Sequence, residues 1–201
     1  MHAVLKRLNG SEAPSVFVSH LDARSADRPR VEQFIAGVFA RRYAARVSSL
    51  APNLILLQDR LQQIIAAAGW RPARAGPLFL EHYLDDPIEH AMGSLNGQPV
   101  RRESIVEVGN LAAGKSGASV HVILALAEHL DRLGYEWVVF TATRELIGIF
   151  QRLGLPLLAL AKADPARLGD EARHWGSYYD REPVVVAGRI CLGLERFGRR
   201  L

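Results

Sequence analysis

The residues best equipped for chemistry fall in one short stretch. Ser104-Ile-Val-Glu107-Val108 reads as a strand, Gly109 to Ser119 as a turn of small residues, and the segment beyond Ser119 as a long helix. Three chemistries compete for that turn. Gly109-Asn-Leu-Ala-Ala-Gly114-Lys115-Ser116 spells the phosphate-binding P-loop pattern between a strand and a helix. Gly114-Lys-Ser116-Gly-Ala118 is one residue short of the Gly-x-Ser-x-Gly nucleophile elbow. The third is a cradle for the pyrophosphate or pantetheine arm of a thioester donor, built from backbone N–H groups at a helix N-terminus.

Each chemistry needs partners elsewhere. A P-loop needs a magnesium-binding aspartate at the end of a neighbouring apolar strand, but Trp137-Val-Val-Phe-Thr-Ala-Thr143 ends in threonines. An elbow needs a later acid and histidine. Asp164 or Asp170 with His174 supply that order, yet Ala118 replaces the closing glycine and no His-Gly-Gly segment lies upstream. The thioester cradle needs only close backbone approach, which Gly109, Gly114, Gly117 and Ala118 allow. Its expected donor-binding residues are Val108, Gly109, Asn110 and Leu111, then Gly114, Lys115, Ser116, Gly117, Ala118 and Ser119. A strand splayed at Gly109-Asn110 would offer backbone groups to a pantetheine arm.

Glu107 shares a strand face with Ile105 and Gly109. In apolar surroundings its pKa rises, which suits a general base for an incoming amine, or an acceptor anchor. Tyr178 or Tyr179 would protonate the leaving thiolate. The plainer roles are a solvated sheet-edge carboxylate for Glu107, packing for the tyrosines, and N-caps of the long helix for Ser116 and Ser119.

The elements that must position these groups alternate. Ser15 to His20 is a short strand, and Arg28 onward an amphipathic helix through Val31, Phe34, Ile35, Val38 and Phe39. Leu54 to Leu57 and Gln63 to Trp70 form a β-hairpin. Leu78 to Tyr83 is short and apolar, and Asp85-Asp86-Pro87 starts a helix with an aspartate cap. The long helix buries Val120, Ile123, Leu124, Ala127 and Leu130, and leads by a right-handed crossover to a parallel strand, Trp137 to Phe140. Arg144 to Arg152 is a further helix, Leu157 to Leu160 and Val184 to Ala187 are strands, and Trp175 to Tyr179 is an aromatic loop. The order describes one α/β domain, residues 1–201, with a mixed sheet and no linker or repeat.

Composition narrows the partners. At 201 residues, 49% apolar and 23% charged, the chain can bury a core and is ordinary for a globular protein. Its net charge of +4 is mostly arginine, with lysine only at 6, 115 and 162. Such a bias often follows genomic composition, so no nucleic-acid partner is expected, and the charge is compatible with anionic donors or membrane surfaces. One cysteine, Cys191, excludes disulfide scaffolds and thiolate zinc sites and suits a reducing cytoplasm. The N-terminus lacks a signal-peptide run and no stretch is long enough for a membrane span, so any membrane contact is expected to be peripheral. His121 and His129 are eight residues apart, too far for a shared metal, and His82 with Glu81 and Glu89 fits an acceptor pocket or ion pairs better than a metal triad. No metal is expected.

Val106-Glu-Val-Gly-Asn-Leu111, Trp137 to Thr143, Arg152-Leu-Gly-Leu155, Ala163-Asp164, Trp175-Gly-Ser-Tyr-Tyr179 and Leu80-Glu-His-Tyr-Leu84 before Pro87-Ile-Glu89 resemble the thermostable hemolysin family, from about Leu54 to Gly188. That family is in turn similar to acyl-homoserine-lactone synthases and the GNAT fold. The resemblance implies a GNAT-like mixed sheet flanked by helices. It also implies transfer of an acyl group, from acyl-CoA or a phosphopantetheine-linked acyl carrier protein, to a small amine or alcohol. Glu107 sits where the synthases carry a strand glutamate. Trp70, Glu81 and His82 lie in a segment that is donor- and substrate-facing there. Thr141, Thr143 and Arg144 close a central strand where ligands bind, Arg144 as a carboxylate clamp, and Trp175 of the aromatic loop is a further expected substrate contact. Asn110 replaces an arginine of the lactone synthases, so acyl transfer is implied and lactone synthesis is not. The family name suggests a membrane-active cytolysin as the alternative. A pore former should carry a secretion signal or an amphipathic segment hidden from the core, and neither is visible, so lysis would come from an acylated, amphipathic product.

Overall fold

The structure, a computed structural model, describes residues 3–4, 16–114 and 117–198. Among these residues eight strands form one sheet: β1 (Ala3–Val4), β2 (Phe17–Leu21), β3 (Asn53–Gln58), β4 (Ile64–Pro72), β5 (Ile105–Ala113), β6 (Trp137–Ala142), β7 (Leu158–Lys162) and β8 (Val184–Arg189). The α-helices described beside it are α1 (Arg28–Tyr43), α2 (Ile88–Asn96), α3 (Ala118–Arg132), α4 (Arg144–Arg152) and α5 (Ile190–Gly198). The strand order is β1-β2-β3-β4-β5-β6-β8-β7, and β5 with β6 is the parallel pair in an otherwise antiparallel ladder. β8 inserts between β6 and β7, antiparallel to both.

Both faces of the sheet are covered. Leu54 to Leu57 are all but inaccessible, as their unbroken apolar run demands of a strand packed on two sides. Ala66, Ala67 and Ala68 let helices approach closely: Ala66 and Ala68 pack toward α3, Ala67 toward α1. α3, α4 and α5 cover one face, joined by Val106, Val122, Leu126 and Leu130 on one side and Phe140 and Phe150 on the other. α1 and α2 cover the opposite face, together with short 3-10 segments at Ala73–Ala75, Phe79–Tyr83 and Pro165–Trp175.

The central strand departs from the sequence expectation. β5 does not end at Val108 but runs to Ala113, and α3 begins at Ala118. Gly109 to Ala113, the first five positions of the P-loop pattern, are therefore strand rather than loop, which removes the loop a bound phosphate would need. The strand continues because β4 supplies a ladder as far as Ala113, and Gly114 N–H still donates to the Ile65 carbonyl at 2.9 Å. Lys115 and Ser116 lie outside the described residues.

Three local expectations also change. α3 has Gly117 at its N-cap with φ +79°, and Ser119 sits in the first turn without a capping bond. α2 is preceded by Pro87, not capped by an aspartate. Its Ile88 N–H is taken by Glu81 Oε1 at 2.9 Å, from the neighbouring 3-10 turn. The buried stripe of α3 is Ala118, Val122, Ala125, Leu126 and Leu130, rotated from the expected one. Ile123 and Ala127 instead border a cavity.

Candidate active site

β5 and β6 pair only over Ile105–Glu107 with Trp137–Val139. Beyond that point β5 stays with β4 and β6 with β8, so the two parallel strands part. The cause is a bulge. Between Gly69 and Ala67 on β4 the partner strand spends an extra residue, and Asn110 takes φ +53°. Asn tolerates this left-handed region better than most residues. Its Oδ1 accepts the Ala51 N–H at 3.1 Å. That fold-back needs Gly69, where a Cβ would stand 2.8 Å from both Asn110 Oδ1 and the Ala51 Cβ. A strand bent toward one neighbour leaves the other, and its backbone groups on the open side lack a sheet partner.

A cavity of about 280 Å³ fills the gap and is lined from both faces of the sheet. On the α3–α5 side it is an apolar bore, walled by Val108, Ile123, Leu126, Ala127, Leu130, Val138, Phe140, Ile149, Phe150 and Leu157. The opposite side is a chamber of mixed character, with Arg42, Tyr43, Arg71, Phe79, Tyr83, Glu107, Thr141, Thr143, Trp175 and Tyr178.

Glu107 stands where the strands part, 7% exposed. Its Oε1 accepts the Leu80 N–H at 2.9 Å and its Oε2 the Phe79 N–H at 3.1 Å, while Arg71 Nε lies 3.4 Å from Oε2. Burial pushes the Glu107 carboxyl above the ordinary value; the two amides and Arg71 pull the other way without cancelling it. The carboxylate is thus held in one orientation and remains more basic than a surface glutamate.

The aromatic wall is held by the C-terminus of α1. Tyr43 carbonyl accepts the Ser177 N–H at 2.8 Å, and the His174 carbonyl accepts the Arg46 N–H at 2.6 Å. Gly176, at φ +51°, passes so close that a Cβ would sit 2.0 Å from the Tyr43 oxygen. Tyr178 packs edge-on against Tyr43, with centroids 5.3 Å apart, and its hydroxyl reaches the Thr141 carbonyl at 3.4 Å. Burial raises its pKa, so the phenol stays protonated. Tyr179 lies one ring further back, its hydroxyl 2.6 Å from that of Tyr83.

Of the residues picked out from sequence, Glu107, Tyr178, Val108, Gly109, Asn110, Leu111, Ser119, Thr141, Thr143 and Trp175 line this cavity. Tyr179, Gly114, Gly117 and Ala118 do not. Trp70 faces α3, packed against His129 and Tyr135 at 5.6 and 6.2 Å, with Nε1 buried and unbonded. Glu81 belongs to a separate cluster: Arg102 grips it with Nη1 and Nη2 at 2.7 and 3.0 Å and also holds Glu89 at 2.7 Å. Although burial opposes ionisation there, the bonds from Arg102 and from the Ile88 and Leu78 amides bring Glu81 down to about 2. His82 is exposed, its Nδ1 2.7 Å from the Phe79 carbonyl. Arg144 points outward to an ion pair with Glu182. Arg71, Tyr43, Tyr83 and Phe79 join the site without any local sequence signal for it. Arg71 is detectable only through its register opposite Glu107 across β4 and β5. Among the described residues no group of three or more His, Cys, Asp or Glu could hold a metal ion. No helix among them is long and apolar enough to cross a membrane.

Several solved structures share this architecture. The acyl-homoserine-lactone synthase LasI aligns with a TM-score of 0.60 and 16% identity, over 89% of this chain and 91% of its own. The CoA-dependent lactone synthase BjaI, solved with SAM and isopentyl-CoA, aligns at 0.62 and 12%, over 92% and 89%. FeeM, an N-acyl amino acid synthase from uncultured soil microbes, aligns at 0.62 and 12%, over 96% and 100%. At such identities the likeness is one of fold, the GNAT-like mixed sheet. By sequence alone no curated protein matches the chain. The sequence model of the thermostable hemolysin family matches residues 21–194, and the chain belongs to that family.

Proposed function

We propose that the protein transfers an acyl group from a CoA or acyl-carrier-protein thioester to a small amine or alcohol. The observation that carries this is the parting of β5 from β6 beside a buried carboxylate, over an apolar bore. Val108 to Leu111 have no partner on β6, so their backbone groups on that side suit the amides of a pantetheine arm; the bore suits an alkyl chain, and Ser119 in the first turn of α3 brings orphaned helix amides toward the donor's anionic end. A fold relative solved with isopentyl-CoA supports the choice of donor.

In the proposed reaction the acceptor nitrogen or oxygen attacks the thioester carbonyl carbon. The new bond forms as the carbon–sulfur bond breaks, and the acceptor's proton passes to Glu107. Tyr178 donates a hydrogen bond to the departing sulfur. Its raised pKa makes it a weak acid, better suited to stabilising a thiolate than to giving up its proton outright. Tyr179, tied to Tyr83, positions the aromatic wall. The exposed Cys191 suits a reducing, cytoplasmic setting.

Calorimetric titration with acyl-CoAs of increasing chain length tests the reading. Affinity should rise by up to about 0.8 kcal/mol per methylene buried, then level off when the bore is full. Absence of binding, or affinity independent of chain length, would exclude the bore as the acyl site.

A further inference from the structure

The chamber contains an arginine whose bonding capacity is mostly unused. Arg71 is opposite Glu107 in the β4–β5 register, and both side chains rise from the same face of the sheet. Its side chain is 31% exposed and lines the cavity. Among the described residues its guanidinium makes one loose ionic contact through Nε and no hydrogen bond, leaving both terminal nitrogens open. Other arginines around the chamber and its supporting turns are committed. Arg42 pairs with Glu145 and lies over the Tyr43 ring, and Arg102 and Arg167 each make several bonds to carboxylates and carbonyls. A planar fork of donors beside a fixed carboxylate is matched by a ligand with both a carboxylate and an amine.

We propose that the acceptor is an α-amino acid, its carboxylate bound by the Arg71 guanidinium and its nitrogen presented to Glu107. This rests on the acyl-transfer reading and names the substrate class for the same chamber. The charges balance, since a zwitterion meets one cation and one anion; its ammonium gives one proton to Glu107 to become the attacking amine, and the second proton leaves with the departing sulfur as free thiol. A simple amine would leave both terminal nitrogens of Arg71 without an acceptor, and sites built for a polar group discriminate against analogues that lack it. The remaining wall, formed by Phe79, Tyr83, Trp175 and Tyr178, is aromatic and leaves room for an apolar side chain.

The test is equilibrium titration of the protein, with and without CoA, using the twenty amino acids and the matched amines that lack the carboxylate, such as phenylalanine with phenethylamine and leucine with isoamylamine. At least one amino acid should bind about 10-fold or more tightly than its amine, the range expected of a charge-assisted bond. Arg71→Gln, checked for an unchanged melting profile, should erase that preference and leave the amine's affinity within a few-fold. If no amino acid binds, if every amine matches its amino acid, or if the preference survives Arg71→Gln, the proposal is wrong. The wild-type comparison decides even where the variant fails to fold. CoA and acyl-CoA titrated alone separate the two readings: loss of donor binding would sink acyl transfer, whereas amino-acid preference reads Arg71 independently.

Discussion

The Asn110 side-chain oxygen accepts the Ala51 amide in space that exists only because residue 69 is glycine. This contact fixes the bulge that turns β5 away from β6, and so the cleft depends on a residue on a third strand. Gly69→Ala must displace Asn110 or Ala51, at a cost of about 1–3 kcal/mol for overpacking. Thermal unfolding should show that loss, and acyl-CoA affinity should fall about 10-fold or more as β5 straightens. A variant as stable as the wild type and with full donor affinity would detach the bulge from the cleft.

Glu107 is buried, oriented by two amides and more basic than a surface carboxylate. As a base it works ionised, so turnover should rise with pH through a limb above the ordinary carboxylate range and then level. Glu107→Gln should lower turnover about 10²–10⁴-fold, abolish that limb, and leave acyl-CoA affinity within a few-fold. Steady-state rates across pH measure this, and a limb that persists in the variant would assign the titration to another group.

Arg102 ties together Glu81, Glu89 and the carbonyls of Ala73 and Gly76, and thereby the turn that supplies the two amides to Glu107. Arg102→Ala leaves two partly buried carboxylates without their cation and should cost about 2–3 kcal/mol. The sign of the pH dependence comes from Glu81, whose folded pKa is depressed to about 2. Its contribution is complete above its unfolded value of 4.5 and is lost as pH falls toward 2. Urea midpoints of wild type and variant should therefore converge on acidification. A difference that is constant from pH 7 to pH 3 would show that the ion pair does not carry the effect.

Family membership raises direct lysis as a rival property. The described helices offer no membrane span, and the apolar bore lies inside the fold. Purified protein without an acyl donor should leave erythrocytes intact, and lysis should begin only after acylated product has accumulated. Rapid haemoglobin release by the protein alone would make acyl transfer secondary.

Much of the fold is legible in the sequence because periodicity is local. The strand at Leu54, the helix from Arg28, the hairpin, the crossover and the aromatic loop at Trp175 all rest on spacing within a dozen residues. The extension of β5 to Ala113 is not legible, because Gly109, Asn110 and Gly114 read as turn formers until β4 provides a ladder. Glu107 stands out as a carboxylate among Ile105, Val106 and Val108. Arg71 does not, since its meaning lies in a cross-strand register that no local pattern encodes. Glu81 and His82 look like pocket residues by type, and it is Arg102, a distant residue in the chain, that draws Glu81 away. Trp70 and Arg71 point to opposite faces because strand neighbours alternate, so the conspicuous residue hides the useful one.

The central claim is that a thioester is cleaved and its acyl group moved at the β5–β6 cleft. Incubation of the purified protein with a dodecanoyl thioester of CoA or of acyl carrier protein and a panel of amine and alcohol acceptors, read by mass spectrometry with free thiol quantified in parallel, addresses it directly. The account predicts acylated acceptor and free thiol in equal amounts, both formed about 10²–10⁴-fold more slowly by Glu107→Gln in a folded variant. Neither thiol nor acylated product from any donor and acceptor, or undiminished yield from the variant, would contradict it.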